Sequence, residues 1–239
     1  MYNGPVCLGL TRTSTNEEIK KAAFDFILER GYMSVATVSA VGKLPMNRGL
    51  EVHRLDDDGY LYIGASHGKH FCDEVRVNPY ICAVLVDTVA VRVSARLEEV
   101  PQEDRKLYAR YWRQNKGTEK MYRRDLANFR LFRLIHGSGE VFHVYEDDAI
   151  ARVRFTFSGG VLTPWSYTVG DACIGCGDCV TQCMMRVISV KNGKAAIDHY
   201  GCNECGICRE SCAVGGIDNN GFYGNDYHEE EESEGEEDE

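Results

Sequence analysis

The sequence CIGCGDCVTQC at residues 173–183 is repeated in pattern as CNECGICRESC at residues 202–212. Each run spaces its cysteines as Cys-x2-Cys-x2-Cys-x3-Cys, and every cysteine of the first run precedes its counterpart by 29 positions. A constant offset of this kind indicates an internal duplication. Zinc sites favour paired CxxC motifs separated by a longer gap, and disulfides need no duplicated ladder, so the pattern favours 4Fe-4S clusters.

The two runs also predict which thiols share a cluster. Three closely spaced cysteines can wrap one face of a cubane cluster, and in two-cluster proteins the fourth cysteine of each run ligates the other cluster. One cluster is then held by Cys173, Cys176, Cys179 and Cys212, and the second by Cys202, Cys205, Cys208 and Cys183. Residues 170–221 resemble the bacterial two-cluster ferredoxins, except that the usual proline after the fourth cysteine is replaced by Met184 and Ala213. Between the runs, Asn192-Gly193 predicts a hairpin.

Charge is concentrated at the end of the chain. The 239 residues carry a net charge of -10, but residues 229–239 hold nine acids and no bases. Without them 28 acids face 27 bases, scattered along the chain, which does not indicate a nucleic-acid surface. The tail, residues 222–239, is predicted to be disordered, with docking to a basic partner as an alternative.

Targeting signals and long apolar segments are not evident in the sequence. It shows neither an apolar run of 18 residues nor a secretory leader, so we expect a cytoplasmic protein without a membrane span. Exposed cubane clusters are labile to oxygen, which favours an anaerobic host. The remaining cysteines are assigned no chemistry; Cys82, in an apolar run, is expected to be buried, Cys72 to face one side of a helix, and Cys7 to be exposed.

The region before the cysteine runs alternates between apolar and polar residues with the period of β-strands. Thr15 and Glu18 form a capping box and Gly31 a C-cap, which predicts a helix between them. Strands with period two follow, with short helices at 70–77 and 102–115 and a hairpin formed by FRLFRLI and GEVFHVYE. The pattern predicts a mainly β domain with few helices, closed into a small barrel.

The order of motifs in residues 16–158 resembles the pyridoxamine 5'-phosphate oxidase-like, FMN-binding split barrels. It runs strand, glycine turn, strand with a central arginine (MNRGLEVHRL), strand, Ser-x-x-Lys, short helix, Asn-Pro, strand. The resemblance does not extend to the substrate-binding end of the true oxidase, so vitamin B6 oxidation is not implied. It implies a homodimer with FMN at the subunit interface.

The resemblance also implies which residues contact FMN. An arginine fork and a lysine suit the phosphate, and a hydroxyl with the amides of a turn can complete its hydrogen bonds. The implied contacts are Arg48, Lys69, Ser66, His67, Asn47 and Gly49, with Met46 and Leu50 along the same strand. Tyr108, Tyr111 and Trp112 are expected to pack in the core or in a dimer interface, with covering the flavin as a second role. The resemblance singles out no catalytic acid or base.

These observations combine into one domain plan and one functional hypothesis. The plan is an extension at 1–15, a split barrel at 16–160, a linker at 161–169, an α+β two-cluster ferredoxin-like domain at 170–221, and the tail. We expect an iron–sulfur flavoprotein oxidoreductase in which two 4Fe-4S clusters relay electrons to or from FMN, which reduces or oxidises a small-molecule substrate. An external ferredoxin, flavodoxin or reductase would be the electron donor or acceptor. The alternatives are an electron carrier without a substrate of its own, or a barrel that holds haem or deazaflavin.

Overall fold

A computed structural model describes residues 7–55, 58–122, 127–145 and 150–220. The predicted acidic tail, residues 222–239, lies outside these residues. The described chain divides into two compact units between Leu162 and Thr163. Among the residues described, none of the helices combines the length and apolar character that a membrane crossing requires.

The first unit is a barrel with short helices. Its elements in chain order are a 3-10 helix (Cys7–Gly9), α1 (Asn16–Arg30), β1 (Tyr32–Val38), β2 (Pro45–Arg54), β3 (Leu61–Ser66), α2 (His70–Val77), β4 (Tyr80–Val86), β5 (Ala90–Glu99), α3 (Arg105–Gln114), α4 (Lys116–Tyr122), β6 (Phe129–Val144) and β7 (Ile150–Phe157). Strand neighbours follow the order β3-β2-β1-β4-β5-β6, and β6 pairs back with β3, so six antiparallel strands close a barrel. β7 extends the sheet beyond β6. The predicted mainly β barrel is confirmed.

β6 corrects the predicted hairpin at FRLFRLI and GEVFHVYE. The two segments form one strand of 16 residues that bends at His136, whose φ is 46°. Its first half pairs with β3 and β5, and its second half pairs with β5 and β7. A register shift between Ser94 and Arg96 accompanies the bend. The glycines that suggested a turn instead leave room for aromatic rings from β7.

Two glycines of β6 lie directly under phenylalanines of β7. Gly137 is the cross-strand partner of Phe157, and Gly139 is the partner of Phe155. A Cβ added at Gly139 would lie 2.4 Å from the Phe155 ring and 2.8 Å from the carbonyl oxygen of Arg92. The Phe24 ring of α1 meets both phenylalanines edge-on, at centroid distances of 6.0 and 5.1 Å. α1 is therefore anchored on the β6–β7 ribbon.

The helices largely follow their local signals. α1 begins at the predicted capping box, and Gly31 ends it in the left-handed conformation. Phe24 of α1 is fully buried. The helix predicted over 102–115 begins later than expected, because the Asp104 side chain accepts the Leu107 N–H and so caps α3. Its aromatic residues Tyr108, Tyr111 and Trp112 pack in an apolar cluster against β3 and β6, as expected for a core role.

The second unit is small and built around the two cysteine runs. Its elements are β8 (Tyr167–Val169), α5 (Asp178–Gln182), β9 (Ile188–Lys191), β10 (Lys194–Ile197), α6 (Ile207–Glu210) and β11 (Ile217–Asn219). β9 and β10 form the predicted hairpin around Asn192 and Gly193, whose positive φ values of 51° and 75° suit a type I′ turn. β8, within the stretch predicted as a linker, pairs with β11.

The duplication extends to the backbone of the second unit. Three positions of positive φ in the first half recur in the second, and the two sets are separated by the same 29 residues as the cysteines. The pairs are Gly175 (70°) with Glu204 (56°), Gly177 (90°) with Gly206 (82°), and Arg186 (53°) with Gly215 (64°). Ile188 and Ile217, also equivalent, are both buried. The two halves thus repeat one loop conformation.

We predict that Gly139→Ala destabilises the barrel by about 1–3 kcal/mol, because the new methyl group has no space between Phe155 and the Arg92 carbonyl. Gly117→Ala is the matched control, since Gly117 lies exposed in α4 with open space around its Cβ position. That change should stabilise by about 0.4–1 kcal/mol. Urea unfolding of both variants measures the difference. Equal effects of the two changes would contradict the packing described here.

Candidate functional site

The residues implied to contact FMN are distributed between the two faces of β2 and the turn before α2. Side chains alternate along β2, so Arg48 lies on one face while Asn47 and Gly49 lie on the other. Asn47 is exposed, and its Oδ1 accepts a hydrogen bond of 2.6 Å from the Ser34 hydroxyl of β1. A Cβ at Gly49 would meet nothing within 4 Å, so this part of β2 is open.

Arg48 is engaged in a buried ion pair that the sequence did not predict. Its Nη1 donates to Glu74 Oε2 at 2.6 Å and to the Thr37 hydroxyl at 3.2 Å, while Thr37 also donates to Glu74 at 2.5 Å. The Glu74 side chain is 3% exposed and that of Arg48 is 23% exposed. Burial acts to raise the pKa of Glu74, but the hydrogen bonds from Arg48 and Thr37 outweigh it and lower that pKa from 4.5. The carboxylate is therefore ionised at neutral pH.

Helix α2 brings Arg48 close to the predicted Ser-x-x-Lys motif. The Arg48 guanidinium lies 5.5 Å from the centre of the Phe71 ring in the first turn of α2, and Lys69 occupies the N-cap of the same helix. Lys69 makes no side-chain capping bond, so the amides at the helix start are not satisfied by a side-chain cap. An uncapped helix start beside a lysine is a suitable environment for an anion.

The turn before α2 is partly committed to the protein itself. The His67 N–H, implied as a donor to phosphate, donates to the Asn128 carbonyl at 3.0 Å. Lys69 Nζ lies 3.4 Å from the Tyr122 hydroxyl of α4 and 6.0 Å from the centre of its ring. Ser66 is half-buried, and its carbonyl accepts from Lys69 N–H. The Ser66 and Lys69 side chains and the amides of Gly68 and His70 are left as candidate donors.

A second polar group, also missed by sequence reasoning, lies farther along the open face of β2. Thr118 of α4 donates to Glu51 at 3.2 Å, and His53 Nε2 is 3.6 Å from the same carboxylate. The His53 ring meets Tyr111 edge-on at 5.4 Å. Burial lowers the pKa of His53 despite the opposing effect of Glu51, so the imidazole is neutral at pH 7. The period-two alternation of β2 was the only sequence signal that Glu51 and His53 share a face with Asn47.

In the second unit, the thiols of the two runs interleave. Cys202, Cys205 and Cys208 line a void together with Cys183 from the other run. The volume of this void, about 330 Å³, includes space that is open to solvent. Apolar side chains of Met185, Val187, Ile188, Ile197 and Ile207 line the same void. Burial, followed by the influence of Cys202, raises the pKa of Cys208 to about 11.

The other group of thiols shows the reciprocal arrangement. Burial, and then the proximity of Cys173, Cys176 and Cys212, raises the pKa of Cys179. Backbone amides are directed at the sulfurs: Ala195 N–H donates to Cys173 at 3.3 Å and Gly216 N–H donates to Cys212 at 3.1 Å. N–H groups aimed at thiolate sulfur are the expected surroundings of an iron–sulfur cluster. The donor set and its surroundings therefore fit 4Fe-4S clusters.

Mononuclear metal ions require a different arrangement. In the described parts of the chain, no three His, Cys, Asp or Glu side chains converge as the ligands of a single ion would. The thiolates of a cubane cluster bind separate irons around a cube.

The cysteines outside the two runs differ from one expectation. Cys82 was expected to be buried, but the structure places it on the exposed face of β4, because its buried neighbours Ile81 and Ala83 take the inner positions of the alternation. Cys72 is buried on α2, and its thiol donates to the Ser66 carbonyl. The side chain of Cys7 lies outside the described residues.

Comparison with known families agrees with this architecture. Residues 19–136 match the family model of pyridoxamine 5'-phosphate oxidase, and residues 172–217 match that of the 4Fe-4S dicluster domain. The chain is thus a fusion of a pyridoxamine 5'-phosphate oxidase-like split barrel with a 4Fe-4S dicluster ferredoxin domain, and both predicted resemblances are confirmed. These domains give the protein an iron–sulfur redox role.

Solved structures similar to the chain come from several bacteria. A NimC/NimA family protein from Clostridium acetobutylicum is 20% identical, covers 58% of this chain and 92% of its own, and has a TM-score of 0.48. A pyridoxamine 5'-phosphate oxidase-related, FMN-binding protein from Nostoc punctiforme is 13% identical over 63% and 98% of the two chains, with a TM-score of 0.42. The haem storage protein HutZ from Vibrio cholerae is 18% identical over 46% and 84%, with a TM-score of 0.38. A search of the curated proteins returned no match.

We predict that Glu74→Gln destabilises the barrel by about 3 kcal/mol at neutral pH, because it leaves Arg48 without its buried counter-charge. Since the folded pKa of Glu74 lies below 4.5, its stabilisation is complete above that pH and is lost as pH falls through the folded value. The difference between variant and parent should therefore shrink below pH 4.5.

The matched control is Asp73→Asn, which removes the neighbouring exposed acid and its surface pair with Arg76. It should cost at most about 0.5 kcal/mol. Unfolding is followed by Trp112 fluorescence in a Trp165→Phe background, so that the signal comes from the barrel. If the difference in unfolding free energy between Glu74→Gln and the parent stayed constant between pH 7 and pH 3, the ion pair of Glu74 with Arg48 would be contradicted.

Proposed function

We propose that this protein is an iron–sulfur flavoprotein oxidoreductase that uses two 4Fe-4S clusters and FMN. The observation that carries the proposal is the interleaving of the two cysteine runs. Cys183 shares a void with the second run, and Gly216, whose N–H donates to Cys212, packs against the backbone of Cys173 in the first. The cluster bound through Cys173, Cys176, Cys179 and Cys212 and the cluster bound through Cys202, Cys205, Cys208 and Cys183 each carry one electron, whereas FMN exchanges one or two.

The barrel supports FMN through its charge arrangement near α2. Lys69 and the uncapped start of α2 supply positive potential for the phosphate, and Arg48 supplies a guanidinium whose orientation is fixed by Glu74 and Thr37. On the face of β2 opposite to Arg48, Asn47 and Gly49 are exposed and leave room for a planar ring. The proposed role of these side chains is to bind and orient the flavin, while an external redox partner and a small substrate exchange electrons with the protein.

The proposal also includes a homodimer. Exposed apolar side chains lie on the outer faces of β1 and β4, notably Tyr32, Tyr80 and Val86, which are 54%, 64% and 69% exposed. A second copy of the barrel would cover them. Sedimentation equilibrium of the intact protein tests this part independently of the cofactors.

The deciding experiment is the visible spectrum of the anaerobically purified protein, with iron, sulfide and flavin analysis. Flavin bands above a broad cluster absorption, with four irons and four sulfides for each of two clusters, support the proposal. A Soret band in place of flavin bands would replace FMN by haem. The reduced protein is then mixed with a panel of small-molecule acceptors and with protein partners. If only the protein partners reoxidise it, the protein is an electron carrier without a substrate of its own.

We predict that Lys69→Gln weakens FMN binding to the flavin-free protein by about tenfold or more, the usual value of a hydrogen bond to a charged group. Riboflavin lacks the phosphate, so its affinity should be unchanged. Lys106→Gln, an exposed lysine on α3, is the control. Flavin fluorescence quenching measures both affinities. Equal losses for FMN and riboflavin would show that Lys69 does not act on the phosphate.

We also predict that the fourth cysteine of each run serves the other cluster. Cys183→Ala should remove the same cluster as Cys205→Ala, so the double variant loses no more iron than either single one. Cys183→Ala combined with Cys176→Ala should lose both clusters. Cys82→Ser, an exposed thiol outside the runs, controls for general effects. Iron content and EPR of the reduced proteins report the result; the opposite pattern would assign Cys183 to its own run.

A further inference from the structure

The two cluster loops share a backbone conformation but differ in one side chain at a strained position. In the first loop the third residue is Gly175, with a φ of 70°; its equivalent in the second loop is Glu204, with a φ of 56°. Positive φ is unfavourable for a residue with a side chain, and such positions concentrate at functional sites. The second half of the repeat therefore holds a carboxylate where the first half holds glycine.

The first loop excludes a side chain at this position. A Cβ built on Gly175 would lie 2.3 Å from the carbonyl oxygen of Gly193, which belongs to the β9–β10 hairpin. Backbone cannot move aside as the end of a flexible side chain could. The difference between the loops is thus built into the fold.

Glu204 is held against the second group of thiols by hydrogen bonds at both ends. Its backbone N–H donates to Cys202 Sγ at 3.3 Å. Its Oε1 accepts from the Ser166 N–H at 3.1 Å, just before β8. The residue lines the void together with Cys183, Cys205 and Cys208. Glu204 is half-buried as a residue and the Ser166 N–H fixes its carboxylate, so the field of the carboxylate is only partly screened by water.

The charged side chains near the first group of thiols are all exposed: Asp171, which pairs with Lys194 at 3.3 Å, Lys194 itself, and Asp178. Lys194 of β10 lies near enough to Cys173 to favour its thiolate, and Asp178 Oδ2 is 3.4 Å from Cys176 Sγ. Near the second group, Arg209 and Glu210 are exposed on α6, opposite in sign and open to solvent. Among the charged residues named here, Glu204 is the one that is half-buried, and this distinguishes the two groups.

We propose that Glu204 separates the reduction potentials of the two clusters, making the cluster held by Cys202, Cys205, Cys208 and Cys183 the harder one to reduce. Each cluster gains one electron, and with it one negative charge, when a reductant such as dithionite is oxidised. A fixed carboxylate beside the void opposes that added charge. The inference rests on the proposed presence of two clusters.

A consequence follows for partly reduced protein. A single electron occupies the cluster of Cys173, Cys176, Cys179 and Cys212, and the second cluster fills only at lower potential. The cluster with the lower reduction potential is then the stronger donor to any acceptor of electrons from this domain. The protein thus contains two non-equivalent sites within a nearly symmetric repeat.

The test is an anaerobic dithionite titration of the holoprotein followed by EPR, with Glu204→Gln as the variant. Glutamine retains an oxygen that can accept the Ser166 N–H, keeps the backbone strain and removes the charge. The variant should raise the reduction potential of the cluster held by Cys202, Cys205, Cys208 and Cys183 by about 59 mV, which is a tenfold shift toward its reduced form. The reduction potential of the other cluster should stay unchanged. In a Cys183→Ala background, which keeps the first-run cluster, the same substitution should have no effect.

Two further variants separate charge from structure. Glu210→Gln removes an exposed acid of the same loop and should shift neither cluster appreciably. Glu204→Gly removes the charge and also relieves the positive φ. It should raise the reduction potential of the same cluster that Glu204→Gln affects. The proposal is overturned if Glu204→Gln leaves both potentials unchanged, if Glu210→Gln shifts them equally, or if Glu204→Gly alone has an effect. Iron and sulfide counts that show fewer than two clusters would instead refute the proposed function.

Discussion

The closure of the barrel depends on one bent strand. β6 pairs with β3 and β5 over its first half and with β5 and β7 over its second, so a single segment both closes the ring and anchors the ribbon that holds α1. Glycines at positions 137 and 139 allow this, because the Phe155 and Phe157 rings occupy the space of their missing side chains. With the ring closed, β2 and β3 are fixed side by side, and the open face of β2 and the start of α2 take their positions.

Within this frame, hydrogen bonds between protein groups set the positions of the charged side chains. Thr37, Glu74 and Arg48 come from β1, α2 and β2, and their mutual hydrogen bonds hold a guanidinium beside the helix that Lys69 precedes. Burying such a pair costs desolvation energy, which its hydrogen bonds must repay. The pair fixes the orientation of the Arg48 guanidinium. The second unit follows the same logic, with backbone amides already directed at sulfur in the loops around Cys173, Cys202 and Cys212.

Sequence patterns predicted the elements with strong local signals and missed those set by distant contacts. The capping box, the period-two strands, α2 and the Asn192-Gly193 hairpin depend on neighbouring residues and were found. The continuity of β6 depends on rings from β7, so its glycines were taken for a turn. Cys82 was assigned to the core from the apolar run around it, although strand alternation places it outside. The partner of Arg48 could not be read from the sequence, because 26 positions separate it from Glu74 and only the fold joins them.

The contact between Gly175 and the Gly193 carbonyl also bears on how the duplicated domain can evolve. Gene duplication yields two copies that begin with equal freedom to change. Here one copy has its loop pinned by a neighbouring hairpin, while the other accepts a side chain at the corresponding place. Divergence at this position is therefore confined to the second copy, and a symmetric repeat acquires a direction through steric constraint on one half alone.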